Sequence, residues 1–152
     1  MPDKKMIVFD EKVFDKEGLK GIIPHREPML LIDECTVEDG VSVGKYTVRG
    51  DEFFLGGHFP GNPVVPGVIL CEMMGQSSCL LIQDLGSDNC IPYFTGLNNI
   101  KFKQKVVPGD TVVFKSELIK QKNVFYFIKS AGYVNNKLCV SGELAFAVIK
   151  EV

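Results

Sequence analysis

Two adjoining stretches of this chain indicate its fold most clearly: GGHFPGNPVVPG (residues 56–67) and VILCEMMGQSSCLLIQDL (residues 68–85). The first part holds four glycines and three prolines, a composition that predicts an irregular but stiff loop. The second part has no proline, follows Pro66 and Gly67 and ends at Gly86, so it predicts a helix about 27 Å long. Apolar residues point from this helix in every direction, so other elements must wrap around it.

Strand-like segments surround this helix in the sequence. They are residues 29–32 and 41–49 before it, and residues 91–103, 111–118, 124–134 and 138–149 after it. Turn signals separate some of them, at Pro108-Gly109-Asp110 and Asn135-Asn136. A short helix is predicted over residues 15–22, with Asp15 as its N-cap and Pro24 after its end. The whole pattern predicts an α+β fold in which a curved antiparallel sheet wraps one long helix.

The composition is that of a soluble globular protein, and residues 1–152 are expected to form a single domain. Lys and Arg number 17 against 19 Asp and Glu, which disfavours a nucleic-acid partner. Five cysteines without a CxxC spacing and two histidines predict no metal site and a reduced, cytoplasmic protein. The apolar run at residues 6–9 is too short for a signal peptide, and no run is long enough for membrane insertion.

His58 is the first candidate for chemistry. Its imidazole suits proton transfer near neutral pH, and the proline-glycine loop around it would hold the ring in place. The alternative is a structural histidine that bonds a backbone carbonyl of its own loop. The position of a constrained loop directly before a buried helix favours a functional role.

Glu72 is the second candidate, because it lies in the second turn of an apolar helix. A carboxylate buried there without partners would be costly, so the group is expected to stay protonated or to face a cavity, as a general acid does. Gln76 lies one turn further on and is expected to orient the carboxyl group. In the alternative reading, Glu72 faces water at a gap in the sheet.

Three further features complete the set of candidates. The amides of Gly67 and Val68, at the N-terminus of the long helix, are expected to be free donors for a developing oxyanion. The lysines of KFKQK (residues 101–105) are expected to share one face of a strand, where they protect the sheet edge or attract an acidic partner. His25 is given only a capping or ion-pairing role. The sequence contains no GxGxxG, P-loop, HExxH or GxSxG motif.

Three of these segments carry a resemblance. PHREPMLLID (residues 24–33), GHFPGNPVVPG (residues 57–67) and the pair Glu72 and Gln76 closely resemble the bacterial 3-hydroxyacyl-[acyl-carrier-protein] dehydratases of fatty-acid synthesis. The segment at residues 94–110 is similar as well, so the likeness covers nearly the whole chain from about residue 20 onward.

The resemblance implies the hotdog fold, in which two chains form a homodimer with a continuous sheet, often as a trimer of dimers. It implies dehydration of a (3R)-3-hydroxyacyl thioester to the trans-2-enoyl product. His58 would act on the C2 proton, Glu72 on the C3 hydroxyl and the Gly67 amide on the thioester carbonyl, with His58 and Glu72 of one site on opposite subunits. Tyr93 matches an aromatic position near the acyl tunnel.

The resemblance also implies acyl carrier protein as partner, its phosphopantetheine carrying the substrate, with no other cofactor. Two other functions are weighed against this one. A hotdog module that only binds acyl thioesters would need neither His58 nor Glu72, and an acyl thioesterase of this fold would normally lack the histidine loop. Both features together favour the dehydratase.

Overall fold

Seven strands form one antiparallel sheet in the computed structural model, which describes residues 12–86 and 89–151. Their order across the sheet is β1-β2-β3-β5-β6-β7-β4. The strands are β1 (Phe14–Asp15), β2 (Glu34–Glu38), β3 (Val41–Thr47), β4 (Cys90–Phe102), β5 (Thr111–Lys122), β6 (Phe125–Val134) and β7 (Lys137–Lys150). The helices are α1 (Lys16–Leu19) and α2 (Gly67–Ser77), and a short 3-10 helix covers Cys79–Leu81.

The inner face of the sheet is built by alternation along each strand. On β5, for example, Val112, Phe114 and Ser116 are buried while the residues between them are more exposed. These inward side chains join those of α2 in one hydrophobic cluster, and α2 lies against β3, β5 and β6. The predicted turn between β6 and β7 is confirmed, since Asn135 and Asn136 have φ values of 50° and 64°.

Helix α2 is shorter than predicted. It ends at Ser77, so it is about 16 Å long, and the rest of the predicted span forms the 3-10 helix and a turn. The physical reason lies in the serines at its end. The Ser77 carbonyl accepts a hydrogen bond from Ser42 Oγ at 2.6 Å, and Ser78 Oγ donates to the Met74 carbonyl at 2.8 Å. Side chains thus compete with the helical hydrogen bonds at this point.

The prediction of a strand at residues 29–32 is wrong. This segment has no regular secondary structure and pairs with no strand, because its backbone is bound by the Gln76 side chain, which accepts from Leu31 N and donates to Met29 O. The strand that pairs with β3 on this side of the sheet is β2, whose sequence ECTVE alternates the buried Cys35 and Val37 with polar residues, a strand signal that was missed. An early pair of strands exists, but its first member lies further along the chain.

The N-terminal helix is also shorter than the predicted residues 15–22. Asp15 is its N-cap, as expected, and its Oδ1 accepts from Gly18 N at 2.9 Å. The apolar run at residues 6–9 lies outside the described residues. Within residues 12–86 and 89–151, none of the helices has the length and apolar character needed to cross a membrane.

Strand β4 forms one edge of the sheet and is the most exposed of the long strands. It pairs only with β7 within the chain, and several of its large apolar side chains face solvent, among them Tyr93, Leu97 and Phe102. A long, apolar edge strand of this kind is a ready surface for another strand.

Candidate active site

The loop that carries His58 is closed by its own backbone. Phe59 and Asn62 exchange hydrogen bonds, N to O at 3.0 Å and 2.8 Å, and Val64 N donates to the His58 carbonyl at 2.8 Å. Gly61, at a φ of 73°, makes the turn between them. Val65 N then donates to Val106 O at 2.9 Å, which fastens the end of the loop beside the start of α2. The loop is therefore irregular but fixed, as its composition predicts.

The His58 ring is held by one nitrogen. Its Nδ1 lies 2.8 Å from the Val64 carbonyl, and the ring stacks on Phe59 at a centroid distance of 4.1 Å. A carbonyl oxygen can only accept, so Nδ1 carries the proton of the neutral ring and Nε2 is a bare lone pair. The bond to its own loop is the structural role weighed for His58 from the sequence, and it leaves the other ring nitrogen able to accept a proton.

Glu72 projects from the second turn of α2, and its side chain is 23% exposed. Its Oε2 accepts from Gln76 Nε2 at 2.8 Å. Gln76 is itself buried and fixed on its other side, because it also donates to Met29 O at 2.7 Å and accepts from Leu31 N at 2.7 Å. The predicted pairing of Glu72 with Gln76 is present, and the segment around residue 30 holds it in place.

His25 is brought to the same carboxyl group. Its Nε2 lies 3.3 Å from Glu72 Oε2, with 22% of the side chain exposed. Sequence reasoning gave this histidine only a capping or ion-pairing role and did not connect it with Glu72. Because 47 residues separate the two in the chain, only the fold shows that they meet.

A small cavity of about 30 Å³ lies against Glu72. Besides Glu72, His25 and Gln76, its walls are largely apolar side chains: Ile23, Ile82, Leu85, Pro92, Phe94 and Phe146. Phe94 and Phe146 stack at 4.8 Å between ring centroids. The carboxyl group therefore faces a cavity with apolar walls, which is one of the two environments predicted for it. His58 of the same chain is not among the lining residues.

The thiols near this carboxyl group stay protonated. Burial raises the pKa of Cys71, the residue before Glu72. Hydrogen bonding with Cys35, together with burial, raises the pKa of Cys79, which lines the cavity. Neither cysteine is therefore a thiolate at neutral pH, and proton transfer at this site is left to the carboxyl and imidazole groups.

The N-terminus of α2 offers the two amides that the sequence singles out. Ile69 N and Leu70 N both donate to the Pro66 carbonyl, whereas in the described part of the chain no acceptor is found for the amides of Gly67 and Val68. Gly67 has a further reason to be glycine. A Cβ there would lie 2.8 Å from the ring of Phe102, so the residue lets β4 approach the helix.

Tyr93 lies on β4 with 45% of its surface exposed, and its hydroxyl donates to Glu151 at 2.7 Å. Its neighbours Pro92 and Phe94 line the cavity, and alternation along the strand turns Tyr93 to the other face. Within one chain it is therefore not a cavity residue, and its place near an acyl tunnel stays a prediction.

Comparison with known proteins decides the family. The FabA-like domain family matches residues 23–143. The chain belongs to the FabA-like family. The 3-hydroxyacyl-[acyl-carrier-protein] dehydratase FabZ of Clostridium botulinum (strain Kyoto / Type A2) is 41% identical over 143 residues, which cover 92% of this chain and 99% of that protein. FabZ of Clostridium tetani (strain Massachusetts / E88) is 41% identical over 84% of this chain and 92% of its own length.

Solved structures agree with this FabA-like assignment at the level of the fold. The dehydratase heterocomplex ApeI:P from Xenorhabdus doucetiae matches with a TM-score of 0.75 and 19% identity, over 88% of this chain and 91% of its own. The PaaI protein of the E. coli phenylacetic acid degradation operon has a TM-score of 0.57 and 15% identity, over 74% and 79%. The predicted hotdog fold, family and enzyme class, a dehydratase and hence a hydro-lyase, are confirmed.

Proposed function

We propose that this protein removes water from (3R)-3-hydroxyacyl thioesters of acyl carrier protein to give trans-2-enoyl thioesters in fatty-acid elongation. The observation that carries the proposal is the placement of Glu72. Its Oε2 accepts a hydrogen bond from Gln76, and its carboxyl group faces a cavity lined largely by apolar side chains. A carboxyl group held in one orientation beside a cavity is placed to transfer a proton to the leaving hydroxyl group of a bound substrate.

The proposed reaction needs one base and one acid. His58 Nε2 takes the proton from C2, and the electron pair of that C–H bond forms the C2=C3 double bond. The C3–O bond breaks as the departing oxygen takes a proton from Glu72, and water leaves. The Gly67 amide, with that of Val68 beside it, stabilises the charge that develops on the thioester oxygen. Gln76 orients the acid, and the substrate arrives on the phosphopantetheine of its carrier with no other cofactor.

The assay that tests this function follows enoyl absorbance from a 3-hydroxybutyryl thioester. Wild-type protein should form the enoyl product, and Glu72→Gln should lower kcat by at least about a hundredfold, because an amide N–H is far too weak an acid to protonate a leaving hydroxyl group. Release of free thiol without enoyl absorbance would point to a thioesterase. Binding without either product would leave only an acyl-thioester module, and both outcomes contradict the proposal.

We further propose that the working unit is a homodimer formed through β4, with three dimers in a hexamer. Support comes from the free edge of β4 and its exposed apolar residues, and from the absence of His58 in the cavity around Glu72 of its own chain. A His58→Ala protein and a Glu72→Gln protein, each inactive alone, should regain activity when refolded together, since a mixed dimer holds one complete site. Mixtures that stay inactive would contradict shared sites, and sedimentation velocity measures the number of chains.

The carrier is proposed to dock near Lys101, Lys103 and Lys105. All three are exposed, but β4 ends at Phe102, so the second and third lie beyond the strand that was expected to carry them. This segment continues to Val106, whose carbonyl binds Val65 N beside the start of α2. Lys103→Glu with Lys105→Glu should weaken turnover of the carrier-linked substrate and spare a small thioester. Equal effects on both substrates would contradict docking here.

A further inference from the structure

We propose that His25 is a positioning residue for Glu72: as a neutral ring it donates its Nε2 proton to Oε2, which leaves Oε1 as the oxygen that carries the acid proton. This inference rests on the proposed function, because it concerns the acid of the dehydration. From the sequence alone, His25 is expected to have only a capping or ion-pairing role.

The first observation is that two donors converge on one oxygen. Gln76 Nε2 lies 2.8 Å and His25 Nε2 lies 3.3 Å from Glu72 Oε2. Oε1 has no hydrogen-bond or ion-pair partner among the described residues. A carboxyl group whose one oxygen is held by two N–H groups places its proton on the other oxygen, so Oε1 is the atom that delivers it.

The second observation concerns the other nitrogen of His25. Its Nδ1 is buried, and it has no hydrogen-bond partner in the part of the chain that the structure describes. A proton on Nδ1 would bury an N–H donor without an acceptor. That costs more free energy than burying Nδ1 as an unpaired acceptor. The neutral ring therefore keeps its proton on Nε2, directed at Glu72.

The third observation is that the loop around His25 is fastened independently of Glu72. The Arg26 guanidinium donates to the carbonyls of Ile23 at 3.0 Å, His25 at 2.7 Å and Lys20 at 3.0 Å. Met29 N donates to Arg26 O at 2.8 Å. The histidine is thus held from its own backbone side, and its ring can keep the carboxyl group in one orientation.

A neutral donor has a chemical advantage at this place. A cationic imidazolium beside Glu72 would place a full positive charge against the carboxyl group before the reaction begins. A neutral N–H group instead stabilises the negative charge that Glu72 acquires as its proton leaves, and adds no net charge beforehand. His25 then acts on the carboxyl group without touching the substrate.

The test replaces His25 with Gln or Asn, because each of these side chains carries an amide group near the position of one ring nitrogen. His25→Gln places an N–H donor near the position of Nε2, whereas His25→Asn places it near Nδ1, which is out of reach of Glu72. His25→Asn and His25→Ala should lower kcat about 10- to 100-fold, the effect of one hydrogen bond to a charged group, while KM changes little. His25→Gln should recover most of the lost kcat.

Equal kcat values for His25→Gln and His25→Asn, or wild-type kcat in His25→Ala, would overturn the proposal. Thermal melting of each variant separates lost positioning from lost folding, because a variant that loses only the positioning of Glu72 keeps its melting temperature. If wild-type protein forms no enoyl product, the proposed dehydration fails. If wild-type protein is active and the variants equal it, only the role of His25 fails.

A second measurement reads the protonation state directly. The chain has two histidines, so ¹⁵N-histidine labelling gives two ring systems, and a His58→Ala sample assigns them. We expect opposite tautomers, with the proton on Nε2 in His25 and on Nδ1 in His58. A His25 ring that carries its proton on Nδ1, or on both nitrogens at the pH of the assay, would contradict the proposal even without any activity measurement.

Discussion

The two histidines of this chain sit in loops of similar character but are anchored by opposite ring nitrogens. His58 is held through Nδ1, 2.8 Å from Val64 O, which leaves Nε2 bare. His25 is held through Nε2, 3.3 Å from Glu72, and its Nδ1 is enclosed without a partner. This difference matters for the chemistry, because His58 can accept a proton at Nε2, whereas the second nitrogen of His25 is buried and out of reach of a substrate.

The loops are also fastened by charged side chains of opposite sign. Arg26 donates to three backbone carbonyls around His25. At the base of the other loop, the Glu52 carboxylate accepts from the amides of Arg49 at 2.9 Å and Gly50 at 2.7 Å, and from the Tyr46 hydroxyl at 2.7 Å. The backbone then runs to His58 through the bonds Leu55 N to Glu52 O and His58 N to Leu55 O.

The largest effect is expected from glutamine in place of each histidine. His58→Gln should lower kcat by at least about a hundredfold, because an amide cannot take a proton from carbon at neutral pH. His25→Gln should keep most of the activity, because only a donor is needed there. Enoyl absorbance measures both variants. Similar losses in the two would contradict the difference between a base and a positioning residue.

Gln76 connects the His25 loop to the acid, and its loss should affect stability and activity together. Gln76→Leu leaves the buried Leu31 amide without its acceptor, so the free energy of unfolding should fall by about 1–3 kcal/mol. Urea denaturation measures it. Gln83→Leu is the matched control, because the Gln83 side-chain oxygen is buried without a partner in the described part of the chain. A larger loss in the control would contradict this account.

Glu52 should make the His58 loop sensitive to acid. Burial raises the pKa of its carboxyl group, but the bonds from the Arg49 and Gly50 amides and the Tyr46 hydroxyl outweigh it, so the pKa lies below its usual value. A lowered carboxyl pKa gives stability that is present above the unfolded-state pKa and is lost as the pH falls through the folded-state value.

Glu52→Gln should therefore lower the free energy of unfolding by about 1–2 kcal/mol at pH 7, and the difference from wild type should shrink as the pH falls into the acid range. Urea titrations at several pH values measure it. Glu17→Gln is the control, because Glu17 is 80% exposed and its ion pair with Lys20 contributes little. A difference between Glu52→Gln and wild type that does not change with pH would contradict the expected linkage.

The features that sequence could predict are local ones. The stiffness of the His58 loop follows from its own prolines and glycines, and the pairing of Glu72 with Gln76 follows from helical spacing. The end of α2 at Ser77 could not be predicted, because Ser42, 35 residues away, binds its carbonyl. The contact of His25 with Glu72 and the binding of residues 29–32 to Gln76 likewise span more than forty residues, so only tertiary structure creates them.

The smallest effect concerns the chain's two arginines, one in each region. Arg26→Lys replaces a guanidinium group that binds three backbone carbonyls with a single ammonium group, so the His25 loop should be held less firmly. We expect kcat to fall a few-fold and the free energy of unfolding to fall by about 1 kcal/mol. Arg49→Lys should lower the free energy of unfolding by a similar amount but leave kcat unchanged, because the Arg49 guanidinium binds Thr47 O and Asp33 and has no hydrogen bond to the His25 or His58 segment among the described residues. Thermal melts and enoyl absorbance measure the pair. If Arg49→Lys lowers kcat as much as Arg26→Lys does, the backbone anchor of His25 has no specific link to the acid.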